Sequence, residues 1–386
     1  MDLAFSQEQM DFREEIARFC NEKLSGARTA ETAAEFRREI AEKGWTGLSV
    51  PVEYGGLGKG AVHRVIFMEE MAYHQAPLAL YDYGVTWSLL GNMLVKHGTE
   101  EQRRKYLPMM ARAEFFCGQG YSEPEAGNDL TCIQTRAVRD GDGYVVNGQK
   151  MWVHEARYYR YTLLMARTRS DVPPENGMSL FVLDNGTAGV SIVPQLAMNG
   201  QLTPQVFLDN VRIPAENLVG QENQGWRYYL ENKPFYWNKE QGAETGTMRR
   251  LFEQVVRYIK THQTPGRTPY PGELTRQKMA RAAAEIRALR HLMYRMAWME
   301  DVGQDLLDIS AKARVFHVEA WIRFTDMITQ ILGRYGQIEP GDEYAALGGT
   351  MSRLYPAAAL QLLQRAGPSY IKSIIARDVL GMPPAW

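Results

Sequence analysis

The residues best equipped for chemistry sit in one stretch, Gln119–His154. It opens on a short polar loop, Tyr121-Ser122-Glu123-Pro124-Glu125-Ala126-Gly127-Asn128-Asp129, where a hydroxyl, small side chains and accessible backbone N–H groups fall together. Two alternating runs follow, around Ile133–Val138 and Tyr144–Val146. Asp140-Gly141-Asp142-Gly143 lies between them and Asn147-Gly148 behind, both hairpin-turn signals. Lys150–His154 reads as a third strand ending on an aromatic, Trp152. A loop of small residues facing an exposed strand-end tryptophan suits a flat ring, with N–H and hydroxyl groups directed at its polar edge. The same pattern describes an ordinary meander with a core tryptophan, and periodicity alone does not separate the two.

The elements that must position this stretch follow from patterning. At 386 residues the chain is long enough for two or three domains and a large core. With 44 Lys+Arg against 45 Asp+Glu it carries no overall field that would favour nucleic acid or an anionic membrane. No apolar run reaches the length of a membrane span, and nothing at Met1 reads as a secretion leader. Three cysteines (Cys20, Cys117, Cys132) without CxxC spacing fit a reducing cytoplasm and no disulfide frame. Seven scattered histidines give no metal motif.

Ser6 with Gln9 forms a capping box ahead of Phe12, Ile16 and Phe19 on one helical face, and Thr99 with Gln102 forms another. Gly55–Gly60 lacks a preceding strand and a GK[ST] ending, so it reads as a turn rather than a phosphate loop. From Phe115 to Trp226 the texture is β-type, and beyond it four long helical patterns run through Arg227–Gln263, Leu274–Glu300, Gln304–Tyr335 and Tyr355–Leu380. The predicted class is α+β: a helical domain over 1–114, a central β-barrel-like domain over 115–226 and a C-terminal helical bundle over 227–386.

Several of these stretches resemble the acyl-CoA dehydrogenase family. Ser122–Asp129 is similar to its T/S-E-P-x-A-G-S-D loop and Asn147–His154 to its N-G-x-K-x-W-I-T/S segment. Trp45–Gly58, Phe207–Pro214 and Gly367–Gly381 match further family segments, so the resemblance covers nearly the whole chain. It implies the acyl-CoA dehydrogenase fold, FAD as cofactor and an acyl-CoA thioester as substrate. Tyr121, Ser122, Gly127, Asn128 and Trp152 then lie where the family contacts the flavin ring and the start of the acyl-CoA. His154 stands in place of the usual Thr or Ser. Gln330-Ile331-Leu332-Gly333-Arg334-Tyr335-Gly336 resembles the loop that receives the ADP half of a neighbouring subunit's FAD, implicating Gln330, Gly333 and Gly336. Arg334 replaces a glycine there, and His262–Gly266 has lost the Arg and Phe of the accompanying R-x-x-F-G. A diphosphate without that Arg loses a charge-assisted pair worth roughly 1.5–3 kcal/mol.

Family chemistry removes an α-proton with a positioned carboxylate and passes the β-hydride to flavin. Here the glutamate position falls on Ala366, and the alternative position on the first long helix falls near Tyr236; neither is a carboxylate. Three acids remain. Asp82 lies between Tyr81 and Tyr83, where it would be easily desolvated, or it is a helix N-cap. Glu240 and Glu244 share a helix face one turn apart, as displaced bases or as solvated partners of Lys239 and Arg249. Glu125 and Asp129 read as structural.

The expected function is an FAD-dependent acyl-CoA dehydrogenase with a displaced base, on an alicyclic or otherwise bulky acyl group. The alternatives are a base-lacking partner subunit of a heteromeric dehydrogenase, a flavin monooxygenase on the same scaffold, or a binding-only module. The resemblance also implies a homo- or hetero-oligomer built as a dimer of dimers, and an electron-transfer flavoprotein or similar acceptor.

Overall fold

The computed structural model describes residues 4–26, 29–77, 84, 86–153, 156–198, 200, 202–238, 241–261, 272–363 and 367–383; the side chains of Tyr236, Asn238 and Gln241 also lie outside the description. Before the strands come α1 (Gln7–Lys23), α2 (Ala30–Glu42), α3 (Ala61–Tyr73), α4 (Asn92–His97) and α5 (Glu100–Ala111). After them come α6 (Gly225–Asn238), α7 (Gln241–Thr261), α8 (Glu273–Asp301), α9 (Leu307–Leu332), α10 (Thr350–Leu360) and α11 (Pro368–Ile374). The predicted order of helices, strands and helices is therefore observed. In space the chain divides into two compact units: Met1–Arg28 with Ala61–Ala76 and Glu240–Trp386, and Thr29–Gly60 with Pro77–Lys239.

The second unit holds the sheet. Its strands are β1 (Cys117–Gly120), β2 (Arg136–Asp140), β3 (Gly143–Lys150), β4 (Tyr161–Arg167), β5 (Met178–Asp184), β6 (Val190–Val193) and β7 (Gln205–Pro214). They run in the order β1-β4-β2-β3-β7-β6, with β5 antiparallel to β4. β4 receives β1 along Tyr161–Leu164 and then β2 at Arg167, both parallel, which curls the sheet. The β2–β3 turn falls on Gly141 with φ 59°, as its Asp-Gly signals required.

Asn147-Gly148 is not a turn. It shifts the β3–β7 register between Val146 and Gly148, and Asn147 accepts the Asn210 N–H at 2.8 Å, so the pair serves as a bulge. A side chain on Gly148 would meet Thr135 Oγ1 at 2.4 Å, which explains glycine there. The predicted third strand is a correction of the same kind: regular pairing stops at Lys150, and Trp152 takes φ 58°, outside extended geometry.

The first unit is a helical bundle. The Ser6 box is present, with Gln9 N–H donating to Ser6 Oγ at 3.2 Å and Ser6 N–H to Gln9 Oε1 at 3.0 Å. α7 meets α3 through Gly242 and Gly246; a Cβ at Gly246 would lie 2.1 Å from Glu69 O. At this contact Glu69, fully buried, accepts from Arg290 Nε at 2.6 Å, Tyr294 Oη at 2.6 Å and Arg13 Nη2 at 3.3 Å. Burial pushes the Glu69 carboxyl up, but Arg290, Tyr294 and Arg249 outweigh it and hold it below its usual range. Its neighbour Glu70, buried and beside the Glu69 charge, is shifted upward instead.

Candidate functional site

Three polar assemblies contain the candidate site residues that the structure describes. The first joins the 121–129 loop to the end of β3. Lys150 is fully buried, and its Nζ donates to Tyr121 O at 3.0 Å and to Glu123 Oε1 at 2.7 Å. The Glu123 carboxylate also accepts the backbone N–H of Gln134 at 2.6 Å and of Thr135 at 3.0 Å. Burial raises the Glu123 pKa, and the Lys150 charge with these hydrogen bonds more than reverses it, leaving the group lowered. For Lys150 burial dominates over Glu123, and its pKa falls to about 8. The pair is a structural knot: it fixes the loop to the strand with all its bonds directed inward.

That knot leaves the outer surface of the loop available. Met151 N–H donates to Ser122 O at 2.8 Å and Val153 N–H to Pro204 O at 3.0 Å, bracketing Trp152. Held left-handed between these two bonds, the Trp152 side chain is 51 % exposed. A bulky residue at positive φ is costly and persists only where the surroundings over-determine it. Gly127 and Asn128 are exposed, and their N–H groups and the Ser122 hydroxyl have no acceptor among the described residues. A Cβ on Gly127 would meet nothing within 4 Å. Asp129 is structural as expected, capping Thr131 N–H at 2.9 Å.

The second assembly lies in the helical unit around Glu244 on α7. Its Oε2 is 2.5 Å from Nε2 of the fully buried His317 on α9, and Gln361 Nε2 donates to its Oε1 at 3.5 Å. Arg314, also fully buried, places Nη1 3.4 Å from His317 Nδ1 and donates from Nη2 to Gln361 Oε1 at 3.3 Å. Arginine only donates, so His317 Nδ1 is the acceptor and Nε2 faces Glu244. Glu244 is thus paired with His317 rather than a solvated partner of Arg249. Arg249 pairs instead with Glu69 at 3.4 Å and Glu70 at 3.6 Å. Of the other two candidate bases, Asp82 and Glu240 both lie outside the described residues, as do His154, Ala366 and His262–Gly266.

The third is the turn after α9. Gly333 takes φ 58° and ψ −140°, a conformation open in practice to glycine alone, and a Cβ there would meet nothing within 4 Å. Gly336 is buried beneath it against Leu332. The Gln330 amide is engaged locally, accepting from Lys278 Nζ at 2.5 Å and donating to Asp326 Oδ2 at 2.8 Å. Arg334 folds onto its neighbour, with its guanidinium 5.2 Å from the Tyr335 ring. Tyr335 in turn lines a cavity of about 660 Å³ with Arg257, Tyr258 and Tyr344.

Sequence comparison bears directly on this geometry. Three family models match in order: "Acyl-CoA dehydrogenase, N-terminal domain" over residues 6–114, "middle domain" over 118–211 and "C-terminal domain" over 223–371. The chain belongs to the acyl-CoA dehydrogenase family. It is 31 % identical over 368 residues to "Acyl-CoA dehydrogenase FadE26" of Mycobacterium tuberculosis, covering 92 % of this chain and 88 % of that one. Among solved structures it resembles the "Tcur3481-Tcur3483 steroid ACAD" with TM-score 0.88 at 26 % identity, over 100 % of both chains. It also resembles the ChsE4-ChsE5 complex from Mycobacterium tuberculosis with TM-score 0.86 at 28 % identity, again over 100 % of both.

The fold is accordingly that of the acyl-CoA dehydrogenases, with a helical N-terminal part, a central curled sheet and a helical C-terminal part. As a family member the protein is an FAD-dependent oxidoreductase acting on acyl-CoA. The loop fits that cofactor: an exposed indole stands beside unbonded N–H and hydroxyl donors, the complement of a flat ring with a polar edge. The Gln330–Gly336 turn fits in its backbone only, since the side chain of Gln330 is engaged by Lys278 and Asp326.

The sequence motifs located the loop and the turn. They did not reveal that Glu123 and Lys150 pair, although both sit inside the motifs, nor that Glu244 is closed off by His317, 73 positions away on another helix. No helix among the described residues is long and apolar enough to cross a membrane, and no cluster among them could hold a metal ion.

Proposed function

We propose that this chain serves in the α,β-dehydrogenation of a bulky acyl-CoA thioester as one subunit of a two-chain enzyme whose other chain supplies the proton-abstracting carboxylate. The observation that carries this is the closure of Glu244: both its oxygens face His317 and Gln361, so the one candidate base among the described residues is unavailable for proton transfer. Ala366 and Tyr236 at the family's two base positions support the same reading. So does the likeness to the Tcur3481-Tcur3483 steroid ACAD and the ChsE4-ChsE5 complex, each named for a pair of chains.

In this reading the Ser122 hydroxyl and the N–H groups of Gly127 and Asn128 bind the polar edge of the flavin, and Trp152 covers its ring. Tyr121 backs the loop from the buried side, and His154 supplies an imidazole where the family has a hydroxyl. Bound there, FAD would supply the acceptor for the β-hydride, with the α-proton going to the other chain's carboxylate as the C=C bond forms. The Lys150–Glu123 knot fixes the loop so that these donors need no rearrangement on binding. Gln330, Gly333 and Gly336 present the backbone turn toward the nucleotide half of a neighbouring subunit's cofactor. The reduced enzyme passes its electrons to an electron-transfer flavoprotein or similar acceptor, and the assembly is a dimer of dimers.

Asp82 is the competing source of the base, in a homo-oligomer. Purifying the chain alone and co-expressed with its genomic neighbour decides between them through flavin absorbance. A colourless lone chain that turns yellow only with its neighbour supports the two-chain enzyme. A lone chain that binds FAD and is bleached by an acyl-CoA overturns it and makes Asp82→Asn the next test.

A further inference from the structure

A line of large side chains runs along one face of α6, within the sheet-bearing unit. Trp226, Tyr229, Lys233 and Trp237 fall at spacings of three and four residues, which places them on one helical stripe. The stripe begins at the flavin-facing loop: the Tyr229 ring meets Tyr121 edge-on at 5.8 Å and Trp226 at 5.4 Å. Lys233 Nζ then lies 5.2 Å from the Tyr229 ring centre and 6.0 Å from that of Trp237. Tyr121, Tyr229, Lys233 and Trp237 are all buried.

Trp237 closes the stripe and differs from the rest. It is only 1 % exposed, and its Nε1, a group that can only donate, has no acceptor among the described residues. Buried indole N–H groups normally find a partner, and native proteins leave few such donors unsatisfied. Packing accounts for the ring but not for an indole in place of a phenyl group. Trp237 lies eight helical steps beyond Tyr229, a distance of about 12 Å. The donor therefore sits well beyond the loop, at the far end of a stripe that carries two further aromatic rings and the Lys233 ammonium.

We propose that Trp237 is a specificity-determining residue whose Nε1–H donates to an oxygen carried by the acyl group itself, a ketone, hydroxyl or carboxylate on a bulky or ring-bearing chain. The inference rests on the dehydrogenase reading above, which puts the thioester at the flavin-facing loop and leaves the stripe for the acyl group. Aromatic faces suit flat or alicyclic carbon skeletons, and one buried donor among them rejects the bare hydrocarbon because its desolvation is then uncompensated.

The test uses the FAD-loaded enzyme, with its neighbour chain if that is needed for loading. Its probes are 3-cyclohexylpropanoyl-CoA and the three isomers bearing a ring ketone. The readouts are kcat/KM and, by calorimetry, Kd for each ester. The expected result is a preference of at least about tenfold for one oxygenated isomer over the hydrocarbon. In Trp237→Phe that ratio collapses toward one. If the phenyl ring fails to support folding, replacing Trp237 with benzothienylalanine removes the N–H and keeps the indole shape. No preference for any oxygenated isomer, or a preference retained in both variants, overturns the proposal. Failure of every ester to bleach the flavin instead removes the dehydrogenase reading, and the inference falls with it.

Discussion

The 121–129 loop of the sheet-bearing unit and the Glu244 cluster of the helical unit are both built on a buried carboxylate, yet they are wired in opposite senses. Glu123 directs its bonds to Lys150 and to backbone N–H groups beneath the loop, so the Ser122 hydroxyl and the N–H groups of Gly127 and Asn128 are left without acceptors among the described residues. Glu244 closes on His317, Arg314 and Gln361, and the ring of contacts returns to its starting point. The first arrangement fixes a surface that can take a ligand. The second ties α7, α9 and the end of α10 together. Burial of a carboxylate is therefore not by itself a mark of catalysis; what matters is whether unbonded donors or acceptors remain beside it.

The strongest way to break this contrast is Lys150→Met. It leaves Glu123 buried without its cation, and we expect a loss of about 3–5 kcal/mol in denaturant unfolding together with loss of bound FAD. Changing both residues, Glu123→Gln with Lys150→Met, should cost less than Lys150→Met alone. A double mutant as unstable as the single one would mean that the ion pair is not what fixes the loop.

Glu244→Gln should cost about 1–3 kcal/mol by weakening a buried network, while flavin reduction by acyl-CoA stays within about threefold of the parent. A rate loss of a hundredfold or more would make Glu244 the base and erase the distinction between the two carboxylates.

The pH response separates the regions further. Lys150 has a folded pKa of about 8, below its unfolded value, so between pH 8 and the ordinary lysine range the unfolded chain binds the extra proton. This group's contribution therefore shifts toward the folded state as pH rises through that window, while the ion pair itself dissolves. Carbon-13 lysine side-chain NMR should show one resonance titrating near 8 that Lys150→Met removes. Glu123 has the same sign in a lower pH window. Its folded pKa is lowered, so its stabilisation is present above the ordinary carboxylate range and is lost as pH falls through the folded value.

The smallest effect on stability is expected at Trp152. Trp152→Gly relieves a left-handed backbone and removes a half-exposed ring, so stability should change by no more than about 1 kcal/mol while FAD affinity falls. Unchanged FAD affinity would show that the indole is not part of the flavin surface.

Much of the fold was legible where local chemistry decides it. The Ser6–Gln9 and Thr99–Gln102 caps and the Asp140–Gly143 turn each depend on residues within three positions of one another, and all are present. Asn147-Gly148 carried the same turn signal and became a bulge instead, because β7 pairs across it and Asn210 takes up the Asn147 side chain. The third strand, read as Lys150–His154, was carried past the end of regular pairing at Lys150 for a related reason. Alternation cannot register the left-handed step at Trp152, which is imposed by contacts to Ser122 and Pro204 from elsewhere in the chain. The loop and turn motifs were visible as strings, but the partners of Glu244, Arg249 and Glu69 come from helices dozens to hundreds of residues apart. Charge complementarity at that range leaves no periodic trace.

The most direct test of the account is anaerobic mixing of the co-expressed, FAD-loaded complex with an acyl-CoA it bleaches, comparing this chain as it stands with its Asp82→Asn variant. A base supplied by the other chain predicts flavin bleaching at an essentially unchanged rate in the variant. Bleaching slowed by orders of magnitude, with FAD content and folding intact, would place the base at Asp82 and contradict the two-chain reading.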